Sequence, residues 1–247
     1  MLSYSNGSVV QLVEWRSPKP LVAGSSPARP AMKIITIKEG FVWFFIVLAL
    51  IIGATVYKAP CVPDQIPSHW NAQGEVDGYA SKQFTVLFFG GMILAVYLLT
   101  LFLPLIDPLK RNYSSFAGSY FLLRLTIIAF FCLLYVFVLF SAAGWSKLKI
   151  NYFIIPLISA MMIVFGILMP KIKRNYFVGV RTPWTLHSDA VWTKTHKFAG
   201  RTFMAGGVLS FFSVFFSAYS SFWIFMTIIL LASLSPVIYS YLIHRKV

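Results

Sequence analysis

The chain is expected to be all-α: a polytopic integral membrane helix bundle with six transmembrane helices and both termini cytoplasmic. Three observations carry that expectation. Of 247 residues, 58% are hydrophobic and only 11% charged, against roughly 25% charged in an ordinary soluble domain. The apolar residues fall into runs about as long as a bilayer is thick. The basic residues gather between alternate runs, the pattern that cytoplasmic loops impose. The mean hydropathy of +0.77 agrees. The formal charge of +14 comes from 21 Lys and Arg against 7 Asp and Glu, in short clusters between spans, so direct nucleic-acid binding is not expected.

Residues 1–31 are rich in Ser, Pro and Gly and lack the apolar block of a cleavable signal peptide. They are expected to form a disordered extension. Within them QLVEWRSPKPLVAGSSPARP has the look of translation through a transfer-RNA gene, and Met32 is the expected initiator. After it, Lys33 and Lys38 precede the first apolar run as in an uncleaved signal anchor.

The spans are expected at Phe41–Tyr57, Phe84–Ile106, Tyr120–Ala143 and Tyr152–Met169, followed by an apolar stretch from Thr202 to Ile243. At about 1.5 Å per residue that last stretch is roughly twice as long as a bilayer is thick. It must fold back, and its most polar point, Ser217–Ser221, divides it into Thr202–Ala218 and Phe222–Ile243. With the first terminus inside, sixteen basic residues fall on the inner side and four on the outer, with Arg124 inside the membrane. Two modules are expected, residues 32–118 with two spans and residues 119–247 with four. Cys61, in a polar loop, and Cys132, in mid-span, stand too far apart for a disulfide.

Two loops carry the polar chemistry. The outer one includes IPSHWNAQGEVDGYASK, residues 66–82. Asn71 and Gly74 suit the first and fourth places of a type I turn, and Asp77-Gly78 marks a second turn. Trp70 and Tyr79 suit the water–lipid interface, where Lys82 can extend toward headgroups. His69, Glu75 and Asp77 lack a diagnostic metal spacing, so a hydrogen-bonded structural histidine is expected and no metal.

The inner loop reads RNYFVGVRTPWTLHSDAVWTKTHKFAGR, residues 174–201. Gly179 permits a turn, Thr182 before Pro183 stops an incoming helix, and Ser188-Asp189 starts a new one. On that helix Trp192, Thr195, His196 and Ala199 share a face that can look to the cytosol, beside a basic stripe of Lys194, Lys197 and Arg201. The stripe suits anionic headgroups. Arg124 is expected to snorkel to the same surface, although an intramembrane Arg is by default a functional candidate. His187 and His196 make only a weak metal pair. There is no Gly-rich phosphate cradle and no nucleophile with its base, so neither a cofactor nor an enzyme is expected.

These two loops together resemble the SdpI family, typified by the immunity protein against the sporulation-delaying toxin of bacilli. The outer segment resembles the module that starts many members. The inner segment resembles the family signature through Arg181, Thr182, Pro183, Trp184 and Thr185 and through Trp192, Thr195, His196 and Gly200. The resemblance runs from about Met32 to the C-terminus. It implies a multi-pass protein of the bacterial plasma or inner membrane, embedded in the lipid bilayer, that protects the cell from an extracellular peptide toxin. It also implies that a cytosolic helix-turn-helix repressor is held at the membrane when toxin is sensed. On that reading His69, Trp70, Asn71, Gly74, Asp77, Gly78, Tyr79 and Lys82 form the outer sensing loop. Arg181, Trp184, Trp192 and His196 would then present the inner partner surface.

A small transporter or lipid-handling protein is the alternative, suggested by Arg124, Pro104 and Pro156 in or near spans. No acidic residue is expected inside a span, which disfavours proton- or sodium-coupled transport.

Overall fold

The computed structural model describes residues 37–60, 62–144 and 148–246. The expected N-terminal extension, the start at Met32 and Cys61 lie outside them. The elements run α1 (Ile37–Lys58), β1 (Gln65–Trp70), β2 (Val76–Ser81), α2 (Lys82–Ile106), a 3-10 segment at Lys110–Ser115, α3 (Ala117–Ala142), α4 (Asn151–Leu168), α5 (Pro183–His187), α6 (Asp189–Phe212) and α7 (Ala218–His244). Six of these helices are long and apolar enough to cross a membrane.

The helix starts follow local side chains. Ser81, Ser188 and Ser217 accept the N–H of Phe84, Val191 and Ser220 and so cap α2, α6 and α7. Thr182 and Thr185 exchange side-chain and backbone bonds in a reciprocal box that opens α5, with Pro183 in its first turn. The inner-loop helix starts at Asp189 as expected and continues without a break into the fifth span, which was expected from Thr202. The turn back into α7 falls at residues 213–217, just before the expected division at Ser217–Ser221, most of which forms the first turn of α7.

A two-stranded antiparallel sheet adds β-structure to the expected all-helical fold. The first turn stands as expected: Gly74 N–H bonds the Asn71 carbonyl, while Asn71 Oδ1 accepts from Gln73 and Glu75. The second does not. Asp77 and Gly78 lie inside β2, where a register irregularity pairs Gly78 with His69. The physical reason is that Asn71 already closes the hairpin, leaving Asp77-Gly78 to bend the strand.

One apolar cluster joins α1, α2, α3 and β1 through residues such as Ile46, Ile66, Ile93 and Tyr135. A second gathers the N-terminal end of α3 with Leu168, Ile172 and Trp192. Within the second half α6 packs closely between α4 and α7. A Cβ on Gly200 would stand 2.8 Å from the Gly166 carbonyl, and one on Gly206 would stand 2.6 Å from the Ala232 methyl. Small residues let backbones approach where lipid supplies no hydrophobic drive. The outer surface of the bundle stays apolar, with Leu87, Ile106, Phe215 and Leu231 all exposed.

Candidate functional site: the two ends of the bundle

The hairpin closes one end of the bundle. His69 Nδ1 donates to Asp77 Oδ1 at 2.5 Å across the strands, an exposed pair that holds the hairpin in shape. Asn151, at the start of α4, donates to the carbonyls of Ala72 and Ala218 and so ties the hairpin tip to the α6–α7 connection. Lys82 does not extend to headgroups: its ammonium donates to the Val62 carbonyl at 3.0 Å and lies over the Tyr57 ring. Tyr79 is exposed, while Trp70 is half-buried. Beneath the hairpin lies a cavity of about 320 Å³. Ser68, His69, Trp70 and Asn71 roof it, and Ile150, Asn151, Ile154, Ile155, Ile158, Phe222 and Phe225 form its walls.

At the other end the loop between α4 and α6 folds back on itself. Asn175 is fully buried; its Oδ1 accepts from the N–H groups of Phe177 and Val178, and its amide donates to the carbonyls of Lys173 and Val178. Gly179 adopts φ +108° directly against His196. That histidine accepts the Val180 N–H on Nε2, which leaves Nδ1 to donate to the Trp192 carbonyl. Trp192 stacks on it at 4.0 Å and donates its indole N–H to the Ile172 carbonyl.

The expected inner surface is therefore corrected. Trp192, Thr195, His196 and Gly200 are buried, as are Thr182 and Thr185. Trp192 and His196 face the loop, whose Ile172 carbonyl and Val180 N–H need those partners, while Gly200 packs on Gly166 and Pro170. His187 is exposed and His196 buried, so the two do not converge. Left at the surface are Arg181, Pro183, Lys194, Lys197 and Arg201, with Trp184 half-buried against Tyr241.

Arg124 is corrected as well. It is buried and forms a two-pronged ion pair with Glu39, at 2.6 and 3.3 Å. The Tyr97 ring lies beneath its guanidinium. Glu39 sits in the first turn of α1, so a buried carboxylate does stand within a spanning helix. Pairing costs less than drawing a lone guanidinium through apolar surroundings to water, because each charge satisfies the other.

Sequence reasoning missed Glu39, Asp107, Tyr113 and Asn175. Asp107 is 2% exposed; it accepts from Leu109 N–H, Tyr113 hydroxyl and Tyr176 N–H, joining the α2–α3 connection to the folded loop. Burial, reinforced by the Asp107 carboxylate, raises the Tyr113 pKa above its ordinary value, so the hydroxyl stays a donor. A chain of contacts then runs along this end of the bundle: Arg124 reaches Thr100, whose carbonyl accepts the Tyr120 hydroxyl, and Tyr120 meets Tyr113 edge-on at 5.1 Å. Among the described residues no group of three His, Cys, Asp or Glu converges as a metal site would require.

Residues 171–240, covering the folded loop and α6, match the SdpI/YfhL protein family. That segment is similar to the family over the folded loop, α6 and most of α7. Residues 44–94, covering the hairpin, match a domain of unknown function (DUF1648). The chain is similar to the immunity protein SdpI of Bacillus subtilis (strain 168), with 24% identity over 185 residues, 75% of this chain and 86% of that relative. No solved structure matches. With its six apolar helices, the chain is a multi-pass membrane protein, similar to a bacterial immunity protein over three quarters of its length.

Proposed function

We propose that the protein confers immunity against an extracellular peptide toxin and reports its presence to the cytosol. In this reading the hairpin end faces outward and both termini lie inside, as the distribution of basic residues favours. The observation that carries it is geometric. The two family-matched segments place their most structured polar parts at opposite ends of one bundle, the hairpin at one and the folded loop at the other. The two modules, 32–118 and 119–247, then divide the work of sensing and reporting, and α3 packs in the clusters of both ends.

On the inner face the partner is a small helix-turn-helix repressor, held at the membrane when toxin is sensed. The surface offered to it consists of Arg181, Trp184, Lys194, Lys197 and Arg201, while Trp192 and His196 hold that surface in shape. Signalling requires two arrangements with different affinities for toxin and repressor. The test is expression in a Bacillus strain lacking its own SdpI, challenged with sporulation-delaying toxin. Restored growth supports the reading; growth no better than the empty strain refutes it.

A small transporter or lipid-handling protein is the second reading, favoured by one observation, the buried Glu39–Arg124 pair. Substrate flux in reconstituted vesicles would establish it, whereas an immunity receptor shows none.

A further inference from the structure

We propose that the cavity beneath the hairpin is a receptor for one bulky apolar side chain of a peptide, whose backbone lies across the polar roof. This rests on the outward, toxin-sensing reading of the hairpin and names what that end binds. The walls are aliphatic and aromatic, supplied by α4 and α7, and the volume of about 320 Å³ sits at the low end of ordinary ligand sites. The roof joins polar Ser68, His69 and Asn71 to the Trp70 ring above those walls. An amphipathic ligand with an apolar part below and hydrogen-bonding groups above matches both.

The length of the walls favours a peptide side chain over a lipid chain. From Ile150 to Ile158 α4 rises about 12 Å, short of the ~15 Å that a lipid tail occupies in its half of the hydrocarbon core. Asn151, in the wall, spends its amide group on the carbonyls of Ala72 and Ala218. Its Oδ1 lies against Gly74 of the hairpin tip, so the side chain is held within the fold and fixes the hairpin over the walls.

Asn151 also gives the cavity a route to the rest of the bundle. Through it, the hairpin tip and the α6–α7 connection meet at one side chain, so a ligand seated here touches the elements that lead to the opposite face.

The probe is N-acetyl-4-bromophenylalanine amide, added to the full chain in phosphatidylcholine nanodiscs, with bromine quenching of Trp70 fluorescence as the readout. Seven tryptophans emit, so the Trp70 share is isolated by difference from Trp70→Phe. The expected result is saturable quenching, at least fivefold tighter for the L than for the D form and weakened at least tenfold in Ile154→Phe, which fills the cavity. Equal quenching by both enantiomers means simple partition into lipid and overturns the proposal. So does quenching by dibrominated acyl chains that the L-amide does not relieve, which would mean a lipid tail occupies the cavity. The growth test separates the two readings. A chain that protects cells without saturable quenching sinks the cavity alone, and one that binds the L-amide without protecting cells sinks the immunity reading alone.

Discussion

At Gly179 a Cβ would fall 2.2 Å from His196 Nε2 and meet a positive φ that L side chains rarely adopt. Gly179→Ala therefore displaces the ring that holds the Val180 N–H and lowers the thermal unfolding midpoint in detergent, while Arg181→Ala, on an exposed neighbour, leaves it unchanged. Trp192→Ala removes a fully buried ring and its bond to Ile172; a loss of about 3–5 kcal/mol is expected, seen as reduced yield of folded protein. Arg181→Ala should instead keep the yield and abolish reporter output from the repressor's operon. The turn at Gly179 and the cap at Ser188 were legible because each rests on a local backbone preference. The burial of Trp192 and His196 was not. Helical spacing tells which residues share a face, and says nothing of whether loop or water covers it.

Among the elements, α1 and α3 are joined by a pair separated by 85 residues in sequence. That separation explains why Glu39 went unrecognised: it stands one residue before Gly40 at the rim of the apolar run, and only the packing of α1 on α3 brings it to Arg124. Removing either charge strands the other in apolar surroundings, at a cost of about 3–5 kcal/mol. Glu39→Gln and Arg124→Gln should each reduce the urea midpoint in mild detergent. The exchanged double variant, Glu39→Arg with Arg124→Glu, should recover part of it, and equal loss in all three would show that the pair contributes nothing. The hairpin was half legible in the same sense: Asn71 and Gly74 announce its turn, but Pro67 and Gly78 interrupt the alternation that marks strands.

For the whole molecule, the number of spans was readable because apolar length against bilayer thickness is a strong constraint. The cavity was not, since its lining comes from β1, α4 and α7, far apart in the chain. The proposed orientation has a direct check. In a background with Cys61→Ser and Cys132→Ala, Tyr79→Cys should react with an impermeant maleimide on intact cells, and Lys194→Cys only after permeabilisation. Both positions reacting on intact cells would overturn the two-faced arrangement.

The tight seat of α6 has a bearing on how the protein is made. Its mean hydropathy is 1.3, against 2.1 to 2.6 for the other five spans, so by itself it partitions poorly from the translocon into lipid. Its glycines fit only once α4 and α7 flank it. A ribosome stalled after residue 216 should therefore leave α6 protease-accessible, and insertion should wait for the last helix to emerge.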